Sequence, residues 1–180
     1  MTFSTGFVLV LAMAGGQSNG TPPRTVESVD LRAYAGTYYE IARFPNRFQT
    51  QCAGDVTATY ALRADGRIDV INRCRTSAGT MTEARGIAKR ADQDASGAKL
   101  KVRFAPAILS FIPSVWGDYW ILGLAEDYSW AVVGSPDRNY LWILARTAML
   151  DTRSFDTAVA VAAANSFDVS RLVRTNHAAP

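Results

Sequence analysis

With 180 residues, 48% of them hydrophobic, the chain is long enough for one globular domain with a full core. The 19 Lys and Arg against 16 Asp and Glu leave a net charge of +3, spread without a basic run, which argues against nucleic acid as a partner. A single histidine, His177, leaves little basis for a Ser-His-Asp triad, a His-rich metal site or a Cys-His dyad, so no catalytic residue, metal or cofactor is nominated.

In chain order, residues 7–14 form an apolar run ending in Ala12-Met13-Ala14, a small-x-small cleavage signature, and a soft polar stretch follows to Pro23. The run is too short to span a bilayer. No Lys or Arg precedes it, so a disordered tail is the alternative to an export signal. The expected division is a signal peptide with flexible leader over 1–23 and one domain over 24–180. No cysteine follows the run, which predicts export without an N-terminal lipid anchor. Two cysteines remain, Cys52 and Cys74, and an even count after an export signal favours one disulfide over two buried thiols.

Eight short β-rich runs follow between residues 36 and 146. The first is 37–44, ended by Pro45-Asn46. The second, 56–63, alternates Val56, Ala58, Tyr60 and Leu62 with Thr57, Thr59 and Ala61, a period of two. A hairpin turn at Ala64-Asp65-Gly66 leads into 67–74, with Ile68 and Val70 in phase. The fourth run, 80–90, carries Gly86 where a barrel strand bends. After a polar turn, 99–104 sets Leu100, Val102 and Phe104 against Lys99, Lys101 and Arg103. Runs 119–124, 130–134 and 140–145 are apolar on both faces, as strands covered on both sides are. Their cover is at hand: Phe155, Ala158, Val159, Ala162 and Ala163 recur at helical spacing after Asp151 or Ser154 as N-cap. A last short strand is expected over 171–175. The fold class is therefore all-β: an eight-stranded antiparallel up-and-down barrel with one C-terminal helix packed outside. Eight strands enclose room for side chains or one small ligand.

Three segments resemble a known family. They are the run from Tyr34-Ala35-Gly36-Thr37-Tyr38-Tyr39-Glu40 to Phe48, the pair Val56-Thr57-Ala58-Thr59-Tyr60 and Ile68-Asp69-Val70-Ile71-Asn72, and Pro136-Asp137-Arg138-Asn139-Tyr140-Leu141-Trp142-Ile143-Leu144-Ala145-Arg146. Together they resemble the lipocalins, in particular the bacterial outer-membrane and apolipoprotein D-like group. Tyr38 stands where the first motif of that family usually has Trp, and Glu126-Asp127-Tyr128 matches its second motif loosely. The resemblance implies a barrel that binds a fatty acid or lysophospholipid in the bacterial envelope, in the periplasm or associated with the outer membrane.

Alternating connections put Tyr38, 126–128 and Arg146 at one end, read as a plug, and 45–55, 75–79, 105–116 and 135–139 at the other, read as the mouth. Arg146 is expected to lie across the Tyr38 ring and to donate to nearby backbone carbonyls. The inward fourth-strand set, Thr82, Ala84, Gly86 and Ala88, is small, which suggests space left open opposite aromatics. Parity cannot choose a face for the last three strands; the resemblance places Trp142 inside, with Tyr140 in phase. The candidate ligand-binding residues are Phe44, Ala58, Tyr60, Val70, Asn72, Val102, Phe104, Tyr140 and Trp142, with the Tyr60 hydroxyl and Asn72 amide as polar contacts. In the apolar mouth loop, Ile108, Leu109, Phe111, Ile112 and Trp116 are candidates for a lid or for transient membrane contact; packing on neighbouring loops and a homodimer contact are the alternatives. Two other functions compete with binding: catalysis on a lipid by a reduced Cys52 or Cys74, and a barrel that only scaffolds protein interactions.

Overall fold

The computed structural model describes residues 20–104 and 116–178. The chain forms helix α1 (Leu31–Tyr34), strands β1 (Gly36–Arg43), β2 (Cys52–Leu62), β3 (Ile68–Thr76), β4 (Met81–Arg90), β5 (Lys99–Arg103), β6 (Gly117–Leu124), β7 (Trp130–Gly134) and β8 (Leu141–Ala145), helix α2 (Thr152–Ala164), a 3-10 turn (Val169–Arg171) and a final strand β9 (Val173–Arg174). From β1 to β8 each strand pairs antiparallel with its neighbour in sequence, and β1 closes the barrel by pairing with both β8 and β2. All eight expected strands and the helix are present. Strand β2 starts earlier than period two suggests, because irregularities between Cys52 and Thr57 break the alternation. The export-signal reading lies outside the described residues, as do Ile108, Leu109, Phe111 and Ile112. Thr21 and Pro23, which the sequence assigns to a leader, lie against the barrel: Pro23 is buried and the Thr21 carbonyl accepts from Arg138 Nη2.

Two apolar clusters explain why the last strands lack a polar face. The inner one fills the barrel with Tyr34, Tyr38, Tyr60, Ile68, Val70, Leu100, Ile121, Val133 and Leu144 among others. The outer one joins Ile41, Phe44, Leu122, Val132, Leu141 and Ile143 to Ala158, Ala162 and Phe167. Ala158 and Ala162 are wholly buried, and as small residues they let α2 approach the wall closely. Asp151 caps α2 by accepting from the Ser154 amide at 3.0 Å, a contact of about 1 kcal/mol.

One irregularity decides what β1 presents to the interior. Tyr39 faces Ala145 and Glu40 faces Leu144, but Ala42 pairs with Ile143 and Arg43 with Trp142, so Ile41 is an extra residue in the ladder. A one-residue insertion reverses the faces of everything after it. Phe44, nominated for the ligand site, is therefore outside. It packs on Phe167 with ring centroids 6.2 Å apart, under the Arg171 guanidinium. Arg43 takes the inward position instead.

Strand β9 pairs with β1 at Ala42 and Arg43, beyond the stretch where β1 meets β2. The tail continues along β2, where the Asp55 amide donates to the Asn176 carbonyl at 2.9 Å and the Ala178 amide to Asp55 Oδ1 at 2.6 Å. His177, the lone histidine, has its Nε2 2.8 Å from the Glu40 carbonyl oxygen, a structural place in this strap.

Candidate functional site

Among the described residues the barrel has a closed end covered by α1, a filled floor, and an opposite end, called the open end, across which no described helix or strand lies. At the closed end α1 and its approach lie across the opening, held by Val26 N–H to the Ile121 carbonyl and Val29 N–H to the Ser96 carbonyl. The Arg146 guanidinium lies 3.8 Å from the Tyr38 ring centroid. Its Nη2 donates to the carbonyls of Ala33 and Ala35 at 2.9 Å and of Tyr34 at 3.2 Å, and Nη1 to that of Thr37 at 3.2 Å. Gly36, with φ of 107°, sits where a Cβ would come within 2.9 Å of Arg146 Nη1. Its lack of a side chain thus serves both the backbone and the guanidinium. The Tyr38 hydroxyl donates to the Tyr128 carbonyl at 3.0 Å, bringing the three motif segments together at this end.

Above this plug, Tyr119 links two tyrosines: its hydroxyl is 2.8 Å from those of Tyr34 and Tyr60. Burial raises all three hydroxyl pKa values well above the ordinary tyrosine value, so each stays a neutral hydroxyl. Tyr38 is raised by burial to about 12, against the pull of Arg146. The Tyr60 hydroxyl, nominated as a polar contact for a ligand, is already engaged in this floor.

Over the floor the wall thins. Ala58, Asn72 and Ala84 face one another on adjacent strands, two rungs from the pair Ile68 and Ala88, which is packed in the core. Ala84 points inward and is nonetheless exposed, and the Asn72 side-chain oxygen is buried with no hydrogen-bond partner. Of the small β4 residues, Ala88 is filled core and Gly86 is covered: a Cβ there would come within 2.7 Å of the Phe104 ring and of the Arg103 carbonyl oxygen. The missing side chain at Gly86 thus permits the close approach of the Phe104 ring and the β5 backbone. Of this inward set, Ala84 is exposed and Thr82 half-buried. Val70 is packed core, Val102 is half-buried, and Phe104 is 44% exposed.

At the open end Trp142 stacks on Tyr140, ring centroids 5.9 Å apart and planes at 13°. Its Nε1 donates to Gln49 Oε1 at 3.0 Å, and Asn46 Nδ2 donates to the same oxygen at 2.7 Å. Gln49 Nε2 in turn donates to Glu40 Oε2 at 2.6 Å. Cys52 and Cys74 are bonded to each other, with Cα atoms 5.5 Å apart, which leaves no thiol for the cysteine-dependent chemistry weighed above. Trp116 lies on the outer wall, not over the opening, with the Arg103 and Lys89 cations 5.1 and 5.2 Å from its ring centroid. Among the described residues no group of three or more His, Cys, Asp or Glu could hold a metal ion.

The polar residues of this end, Glu40, Arg43, Asn46 and Gln49, were not nominated from the sequence. Glu40 and Arg43 are hidden by the bulge, and nothing in the spacing of a loop glutamine marks it as facing a tryptophan far along the chain.

A family model described as a lipocalin-like domain matches residues 29–177. The chain belongs to the lipocalin family. Temperature-induced lipocalin-1 of Arabidopsis thaliana is 42% identical over 151 residues, covering 83% of this chain and 80% of that protein. The outer membrane lipoprotein Blc of Escherichia coli K12 is 38% identical over 159 residues, covering 87% and 85%. Mouse apolipoprotein D is 30% identical over 164 residues, covering 87% and 81%. Among solved structures, insecticyanin from the tobacco hornworm Manduca sexta superposes with a TM-score of 0.69 at 20% identity, over 88% of this lipocalin and 86% of that chain. That last likeness speaks for the fold alone.

Proposed function

We propose that this lipocalin binds and carries a long single-chain lipid, a fatty acid or lysophospholipid, in the bacterial envelope. The observation that carries the reading is the unfilled rung of Ala58, Asn72 and Ala84. An inward alanine remains exposed there, and a buried amide oxygen lacks a partner, above a floor closed by tyrosines. A pocket of this composition, mostly apolar with few polar groups, suits an acyl chain. Trp142 and Tyr140 form its upper wall, with Val102 and Phe104 on another side. The envelope location is supported by the outer membrane lipoproteins among its relatives and by the apolar run at 7–14. The connection between β5 and β6, residues 105–116, is apolar in sequence, and that composition supports a role in meeting a membrane or lipid donor.

Native mass spectrometry after mild extraction tests this. A co-purified acyl chain of fixed mass, exchangeable for an added one, is expected. A protein that emerges empty and takes up no acyl chain from liposomes overturns the reading.

A further inference from the structure

The β1 bulge turns a cation into the open end of the barrel. Arg43 sits opposite Trp142 on the ladder, with only 17% of its side chain exposed. Its Nε lies 3.1 Å from Glu40 Oε1, yet the contact lacks hydrogen-bond geometry, and Nε is buried with no hydrogen-bond partner. The Glu40 carboxylate instead accepts from Gln49 Nε2 at 2.6 Å through Oε2 and from Thr175 Oγ1 at 2.5 Å through Oε1. No guanidinium nitrogen of Arg43 donates to a protein acceptor among the described residues. Arginine carries five donors in a planar fork, and an enclosed one such as this Nε is normally satisfied. Arg146, at the other end of the same barrel, has its fork filled by four backbone carbonyls.

The geometry points to Arg43 as the anchor for an anionic headgroup, so that the ligand is an acyl chain ending in a carboxylate or carrying a phosphate. The inference rests on the lipid-binding reading above and adds the residue that holds the headgroup. The headgroup oxygens accept from the guanidinium at the mouth, and the chain runs past Trp142 to the rung at Asn72. Glu40 supplies the counter-charge that lets an arginine stand inside the barrel. Fork-to-carboxylate or fork-to-phosphate bonds are among the stronger hydrogen bonds, and partial exclusion of water strengthens them further.

Palmitate and methyl palmitate share a chain and differ in charge. Both are titrated by tryptophan fluorescence into delipidated wild type and into the double variant Glu40→Gln with Arg43→Met. Neutralising both partners avoids leaving a buried charge alone. The wild type is expected to prefer palmitate by about 10- to 100-fold, the range of a hydrogen bond to a charged group. In the double variant palmitate falls to the affinity of the ester, and the ester is unchanged. Arg43→Lys restores part of the preference. A matching loss with lysophosphatidylcholine extends the site to phosphate; a loss confined to palmitate marks a carboxylate site. Equal wild-type affinity for acid and ester overturns the inference, as does a preference that survives in a folded double variant. Failure of the wild type to bind any of the three would instead sink the lipid-binding reading itself.

Discussion

Arg146→Ala should destabilise the barrel without touching the ligand. The guanidinium makes a cation-π contact at 3.8 Å with Tyr38, worth about 0.5–2 kcal/mol. It also serves four backbone carbonyls. Bonds from a charged donor contribute about 1.5–3 kcal/mol each, but here they share few protons. Three carbonyls compete for the two hydrogens of Nη2, and those of Ala33 and Thr37 are near water that would replace the lost donor. The low end therefore applies, and the loss should be about 2–4 kcal/mol in total. For a domain of this size that lowers Tm by roughly 5–12 °C. Urea unfolding should show a lower midpoint with an unchanged slope. Lysine at this position should recover less than half, because a point charge cannot reproduce the fork. A destabilisation under about 1 kcal/mol, or weakened lipid binding in a protein of wild-type stability, would refute the assignment of this end as a structural plug.

Trp142→Ala should weaken lipid binding roughly tenfold or more while circular dichroism shows an intact barrel, because an apolar wall residue is lost from the mouth and not from the floor. Unchanged affinity in a folded but clearly destabilised protein would mean the two ends are exchanged. Removing the disulfide with Cys52→Ser and Cys74→Ser frees a link across a sequence separation of 22 and should cost about 3 kcal/mol by loop entropy, read from denaturant midpoints; an unchanged midpoint contradicts this. Asp55 is held below its ordinary value of 3.8, chiefly by the Arg75 hydrogen bond and then by the Ala178 amide. Its contribution to the C-terminal strap is therefore present above that value and lost as pH falls through the lowered folded pKa. Hydrogen exchange over 173–178 should accelerate on acidification below about pH 4, and Asp55→Asn should remove that dependence. Gly86→Val should displace Phe104, since a Cβ already meets its ring at 2.7 Å, and should shift both stability and lipid affinity. Wild-type values for both would mean the ring moves freely.

The fold was legible because period two survives along β3, β4 and β5, where the ladder has no bulge. The doubly apolar strands and the later helix also predicted each other, as two faces of one contact. Legibility fails where the ladder is irregular. Counting outward from Tyr38 puts Phe44 inside and Arg43 outside, and the single extra residue at Ile41 reverses both. Nothing local in Glu-Ile-Ala-Arg distinguishes a bulged strand from a regular one. Tyr60 was placed on the correct face, but its hydroxyl is taken by Tyr119, a partner 59 residues away on a strand whose parity is unreadable. Trp116 reads as part of an apolar loop, whereas the ring finds two outer-wall cations, Lys89 and Arg103, brought near only by the β4–β5 pairing. Small residues likewise do not tell an open space from a filled one: Ala88 and Ala84 look alike in sequence, and only the first is packed.

The most direct test is calorimetric titration of demonstrably delipidated protein with palmitate and with lysophosphatidylcholine. Each buried methylene contributes about 0.8 kcal/mol before ordering costs, so one-to-one binding with Kd of about a micromolar or tighter is expected for at least one of them. A parallel change in tryptophan fluorescence, lost in Trp142→Ala, should accompany it. Flat titrations with both lipids, in protein shown to be folded and empty, would contradict a lipid-binding barrel.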